Sequence, residues 1–148
     1  MLGEKAEPLL MKAAKVRHTQ RHAIMMLAII NSKKAIPLFI TLYEYAHLKR
    51  HIIQAFNELS DPKKYSYLIQ YSSIKEIKEL IEQIIIKIDE PIIPTLIEYL
   101  TETKYQNFII KVLYKIPISE VFISIIEKTA TQNPELEKKL DRLQLKAK

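Results

Sequence analysis

Apolar residues along this chain recur with the period of a helix, not of a strand. From His47 to Leu59 they fall at Leu48, Ile52, Ala55, Phe56 and Leu59. That spacing (i, i+4, i+7, i+8, i+11) makes one stripe down a helix of 3.6 residues per turn. The stretch before it, from Pro37 to Tyr45, carries Leu38, Phe39, Leu42 and Tyr45 on one side. Read this way, the chain predicts helices at about 4–16, 18–31, 33–45, 47–59, 62–72, 74–88, 90–101, 103–116, 118–130 and 134–146. The joints carry residues that start helices. Ser32, Asp61 and Asp89 occupy corresponding places, and each is expected to accept bonds from free N–H groups of the next helix. Pro62 and Pro134 are expected at first helical positions, where a missing N–H costs nothing. Ser73-Ile74-Lys75-Glu76 has the form of a capping box opening the second helix of the third unit.

The pattern also repeats. Pro8-Leu9-Leu10 aligns with Pro37-Leu38-Phe39 at a shift of 29, and the same shift carries Arg21-His22 onto Arg50-His51. Another 29 carries Ile52, Gln54, Phe56 and Leu59 onto Ile81, Gln83, Ile85 and Ile88. A shift of 28 carries Leu68-Ile69-Gln70-Tyr71 onto Leu96-Ile97-Glu98-Tyr99. The last unit is looser, with Pro91-Ile92 matching Pro117-Ile118 at 26 and Leu113 matching Leu140 at 27. Each unit reads as two helices that cannot bury their stripes alone, so stacking of neighbours must complete the core. The expected fold is all-α: one domain, 1–148, of about five stacked helical hairpins with units at about 4–31, 32–60, 61–88, 89–116 and 117–146.

Composition removes whole classes of chemistry. Gly3 is the only glycine among 148 residues. A Walker loop, a dinucleotide fingerprint and a serine nucleophile elbow all need glycines where backbone approaches a ligand or turns sharply. There is no cysteine, which removes disulfides, thiolate metal sites and cysteine nucleophiles. The N-terminal MLGEKAEPLL carries charges where a signal peptide would be apolar, and the longest apolar run, Ala23 to Ile30, is far short of a membrane span. A cytoplasmic protein without a membrane partner is expected. Abundant Ile, Lys and Glu without Cys or Trp is a thermophile's composition.

The period of 28–29 residues separates the chain from tetratricopeptide and ankyrin units of about 33–34 and from full HEAT or armadillo units of about 40–47. Arg21-His22-Ala23-Ile24 through Leu27, and Arg50-His51-Ile52-Ile53 through Phe56, resemble the short HEAT-like repeat of the phycobilisome-lyase type. There a proline-and-leucine first helix precedes a second helix that starts near an Arg. Glu79 and Asn107 stand where later units would carry that Arg. The resemblance covers nearly the whole chain. It implies a right-handed α-α superhelix whose second helices line a concave binding surface, and it implies no catalytic activity.

Charge singles out the first half. The net charge is +6, and residues 1–66 carry 11 Lys/Arg against 5 Asp/Glu, while residues 67–148 carry 12 of each. All four histidines lie in the first half, as His18/His22 and His47/His51, each pair at i, i+4 and so expected to share a helix face. Four imidazoles on adjacent second helices are weak candidates for a metal such as zinc; the competing reading is a solvated polar flank, and no metal or other cofactor is expected. Lys15, Arg17, Arg21, Lys49 and Arg50 lie among them, with Lys33, Lys34, Lys63 and Lys64 at neighbouring joints. The tyrosines, including Tyr71 and Tyr99 at one repeat position, are expected at the core edge with solvated hydroxyls. Glu76, Glu79 and Glu82, beside Lys75 and Lys78, read as an ion-paired helix surface and not as a catalytic pair.

The leading functional reading is a non-catalytic binding module or scaffold that holds a protein partner on the second helices. The partner-binding residues would be Arg17, His18, Arg21, His22, Lys34, His47, Lys49, Arg50 and His51. The alternative is a nucleic-acid-associated protein using the basic first half, and the third reading is a HEAT-like repeat enzyme. Every unit carries its own apolar stripe, so helix content is expected to be unchanged by chelation. Circular dichroism before and after a chelator checks this, and a large loss of helix would show that the histidines hold a structural metal.

Overall fold

The computed structural model describes residues 2–117, 120–131, 134 and 138. The described residues form helices and turns, with no strand among them. The helices are α1 (Leu2–Ala13), α2 (Gln20–Ile29), α3 (Ile36–Leu42), α4 (Lys49–Glu58), α5 (Lys64–Tyr71), α6 (Lys78–Ile88), α7 (Ile93–Tyr99), α8 (Thr103–Lys115) and α9 (Glu120–Thr131). They match the first nine expected helices; α1 starts two residues earlier than expected, α8 starts where expected, and the other seven start later. The tenth, 134–146, lies outside the described residues apart from positions 134 and 138.

Packing follows the repeat. Each odd-numbered helix from α1 to α7 packs against the even-numbered one after it. The even helices α2, α4, α6 and α8 pack in a row, each on the next, and α3, α5, α7 and α9 do the same. One apolar cluster runs through both rows from Ala14 to Ile116. Ile52, Phe56 and Ile81, expected inside from their spacing, are fully buried. Phe39 of α3 meets Phe56 of α4 edge to face, with ring centroids 5.8 Å apart. Of the tyrosines, Tyr71 and Tyr99 are half-buried as expected, whereas Tyr43 and Tyr105 are buried and Tyr45 and Tyr114 are about half exposed.

Prolines explain the late starts of α3 and α7. Pro37 and Pro94 have no N–H to give to the carbonyls of Lys33 and Glu90, four residues back. Ile36 and Ile93, one residue before each proline, donate to those carbonyls instead. The result is a 3-10 turn, Lys33–Ala35 or Glu90–Ile92, in front of each helix. Pro8, which aligns with Pro37 in sequence, instead stands inside α1.

The expected caps are mostly not formed. Ser32 makes no cap, and its buried hydroxyl oxygen has no partner. Asp89 makes no side-chain cap either; its backbone turns left-handed at φ 63°. Asn31, two repeats earlier, does the same at φ 60°. These two residues do the work of helix-ending glycines in a chain that has none to spare, because Asn and Asp tolerate that region best among the others. Asp61 accepts from the Lys63 N–H at 2.9 Å, but α5 begins only at Lys64, so Pro62 lies in the turn ahead of it. Ser73 donates back to the Gln70 carbonyl at 3.0 Å and α6 starts at Lys78, so no capping box exists there. A hydroxyl can satisfy the helix it leaves as easily as the one it enters.

Two side chains that spacing did not mark hold the joint after α4. Lys64 Nζ donates to the carbonyls of Phe56, Asn57 and Leu59 at 2.8, 3.3 and 2.9 Å, closing the end of α4. Asn31 Oδ1 accepts from the Asp61 N–H at 3.0 Å, which ties two joints one repeat apart. The core prediction is direct. Phe56→Ala is expected to cost about 3–5 kcal/mol in urea unfolding, because the ring is enclosed by two helix rows that cannot both collapse; a change under ~1 kcal/mol would mean the rows do not depend on this contact.

Candidate binding surface on the even-numbered helices

The structure moves the histidines off shared helix faces. His18 lies in the turn before α2, which begins at Gln20. That turn is closed by Thr19, whose hydroxyl donates to the Ala13 carbonyl at 2.6 Å. His47 lies in the 3-10 turn Ala46–Leu48 ahead of α4. Its Nε2 is 3.1 Å from Oε1 of Gln20, a buried amide on α2 that spacing alone does not single out. Arg17, His18, Arg21, His22 and His47 consequently line one concavity of about 440 Å³ between α2 and α4. His51 is half-buried on α4; burial first, then the charges of Arg21, Arg50 and His47, hold its imidazole below the ordinary value. Among the described residues no three His, Asp or Glu are arranged to hold a metal ion, so the four imidazoles do not converge on one.

A second concavity, of about 520 Å³, is lined by Tyr43, Ala46, Lys49, Arg50, Ile53, Gln54 and Lys87, from the α3–α4 turn, α4 and α6. Lys49 Nζ lies 5.1 Å from the centre of the buried Tyr43 ring and 3.5 Å from Oε1 of Gln83 on α6. Arg50 and Lys87 are exposed. Lys34 joins neither group. It sits in the turn before α3, on the other row, 3.9 Å from Glu7 and 85% exposed. Such a pair contributes little in water.

A third concavity, of about 540 Å³ between α6 and α8, gathers Lys75, Lys78, Lys111 and Lys115 around Glu79 and Glu82. Here the expected ion-paired surface is corrected. Glu82 is buried, and it pairs with Lys111 at 3.4 Å and with Lys115, both on α8, not with the lysines of its own helix. Burial alone would raise its carboxyl; hydrogen bonds and charge from Lys115 and Lys111 outweigh that and hold it below the usual carboxylate range.

Charge therefore separates by row and not only by half. The segments of the even row, 14–29, 46–58, 73–88 and 103–115, carry eleven Lys/Arg against four Asp/Glu. Those of the odd row, 2–13, 30–45, 59–72 and 89–102, carry six against eight. Counting by halves hid this, because acids of α7 and its flanking turns cancel lysines of α8 on paper while belonging to the other row. Among the described residues no helix is long and apolar enough to cross a membrane. Comparison with models of known families, with curated proteins and with solved structures found no match to this chain.

Glu82 yields an acid-stability prediction. A carboxyl whose folded value lies below its unfolded one stabilises the fold above the unfolded value, and that stability is lost as pH falls through the folded value. The native protein should therefore lose stability as pH drops below about 4.3. Glu82→Gln should cost about 1–2 kcal/mol near neutrality and show a shallower acid decline; the ~3–5 kcal/mol of a fully buried pair is not expected, since both lysines are more than half exposed. Urea unfolding at neutral and acid pH measures both, and parallel declines would remove the pair as a source of stability.

Proposed function

We propose that the chain is a non-catalytic binding module: a right-handed α-solenoid of the HEAT-like kind that holds a protein partner on the surface made by α2, α4, α6 and α8. The partner is acidic and offers an apolar anchor. The observation that carries this reading is the concavity between α4 and α6, where Tyr43, Ala46 and Ile53 stand against Lys49, Arg50 and Lys87. Apolar side chains within a charged border are the ordinary anatomy of a protein interface. The solenoid reading is supported by the two helix rows, each member packed on the next. The binding role also agrees with Glu82, the one acid buried among the described residues. Two lysines keep it charged, whereas a general acid is usually tuned toward neutral pH.

A second reading, binding to a nucleic-acid backbone, is favoured by the charge of the even row, eleven cations to four acids. Phosphate backbones attract such surfaces without reading sequence. The two readings separate in one titration series. A synthetic peptide of Glu and Leu is expected to bind, to weaken with salt, and to lose about tenfold or more with Arg50→Glu/Lys87→Glu, since like charges then face each other. Random duplex DNA is expected not to bind at physiological salt. Duplex binding that falls by roughly 10³–10⁵ between about 50 and 200 mM salt would instead establish the second reading, and failure of both ligands would remove the surface as a binding site.

A further inference from the structure

The concavity between α2 and α4 holds positive charge that nothing around it answers. Arg17, His18, Arg21, His22 and His47 line it, and no carboxylate does. Neither Arg17 nor Arg21 is ion-paired among the described residues. From α4, Arg50 and His51 add to the same field. Also packed on α2 is α1; its described charged side chains are Lys5, Glu7 and Lys12, and none of these lines the concavity, Glu7 lying by Lys34 instead. The concavity between α6 and α8 makes the contrast, since there two glutamates sit among four lysines. The geometry is also held in place. The buried Gln20 amide fixes His47, and Thr19 fixes the turn that carries Arg17 and His18. Two guanidinium forks suit a tetrahedral oxyanion, each able to give paired N–H bonds. The imidazoles can add further N–H donors.

We infer that this concavity is a binding site for a phosphate group. The inference rests on the protein-partner reading for its source: a phosphorylated side chain on that acidic partner, with free phosphate as the same chemistry in small form. A phosphorylated side chain concentrates about −1.5 to −2 charges on one group, which matches five basic groups around a single concavity. A nucleic-acid backbone spreads one charge per phosphate along its length and calls for cations in a line. The neighbouring concavity, with Ala46 and Ile53, offers apolar contact to the residues beside the phosphate, which a sugar-phosphate backbone would not use.

The probe is sulfate, which keeps both charges through the range in which imidazole titrates. Calorimetry on the full chain is expected to show sulfate binding that weakens as salt rises, since the site acts through charge. Arg17→Gln/Arg21→Gln should weaken it about tenfold or more by removing charge-assisted bonds. Both arginines are exposed, so circular dichroism should stay unchanged. Lys34→Gln removes one charge outside the concavity and should leave sulfate affinity as it was. An acidic peptide carrying phosphoserine should bind more tightly than its unphosphorylated form and displace sulfate. The absence of sulfate binding, or binding that the arginine variant leaves unchanged, would overturn the site. Displacement by random duplex and not by the phosphopeptide would overturn the protein source. An unphosphorylated acidic peptide that binds native and arginine-variant proteins alike, with no gain on phosphorylation, would sink this site while the partner reading stands.

Discussion

Helices of seven to thirteen residues are marginal in water on their own, so each helix here depends on a neighbour to hide its apolar stripe. The neighbour is supplied twice, once by the next helix in the chain and once by the helix one repeat away. The cross-repeat links come at matching separations: Gln70 to Tyr99 at 29, Asn31 to Asp61 at 30, Gln20 to His47 at 27 and Glu82 to Lys115 at 33. Polar side chains at the same height in successive units thus tie the apolar layers together. A single cluster from Ala14 to Ile116 is the consequence.

Scarcity of glycine shapes the joints. A helix usually leaves by a left-handed residue or by bonds to its last carbonyls. After α2 and after α6 the chain uses Asn31 and Asp89 for the first solution. After α4 it uses the second, with Lys64 reaching back to three carbonyls. Burial lowers the readiness of that ammonium to stay charged, while Glu58 acts the other way. The three joints are equivalent in sequence position and differ in mechanism.

The surface follows from the same arrangement. The even-numbered helices α2, α4, α6 and α8 pack in one row, so a modest excess of basic residues on those helices becomes a basic face. Within that face the three concavities differ in how their charge is answered. Between α6 and α8 two acids sit among the lysines, between α4 and α6 apolar groups sit beside the cations, and between α2 and α4 nothing offsets them. A partner that meets all three must bring acid, apolar surface and a concentrated negative charge in that order along the row.

Periodicity alone was enough to read the helices of the described residues and the burial of Ile52, Phe56 and Ile81, because an amphipathic stripe is a local property of spacing. The excess of basic residues and the basic character of Arg17, His18, Arg21 and His22 were equally legible. Three things were decided only in three dimensions. The caps at Ser32, Asp89 and Ser73 failed because a short polar side chain has several backbone partners within reach, and local sequence does not rank them. Lys34 fell on the other row, while Gln20, which spacing does not mark, became the buried partner of His47. Glu82 left its own helix for lysines of α8, although the signal was present in principle: Lys111 lies one period, 29 residues, beyond it. Charge partners across a repeat depend on how far one helix slides and turns against the next, and that is set by the packing of whole side chains, which spacing along one strip of sequence does not contain.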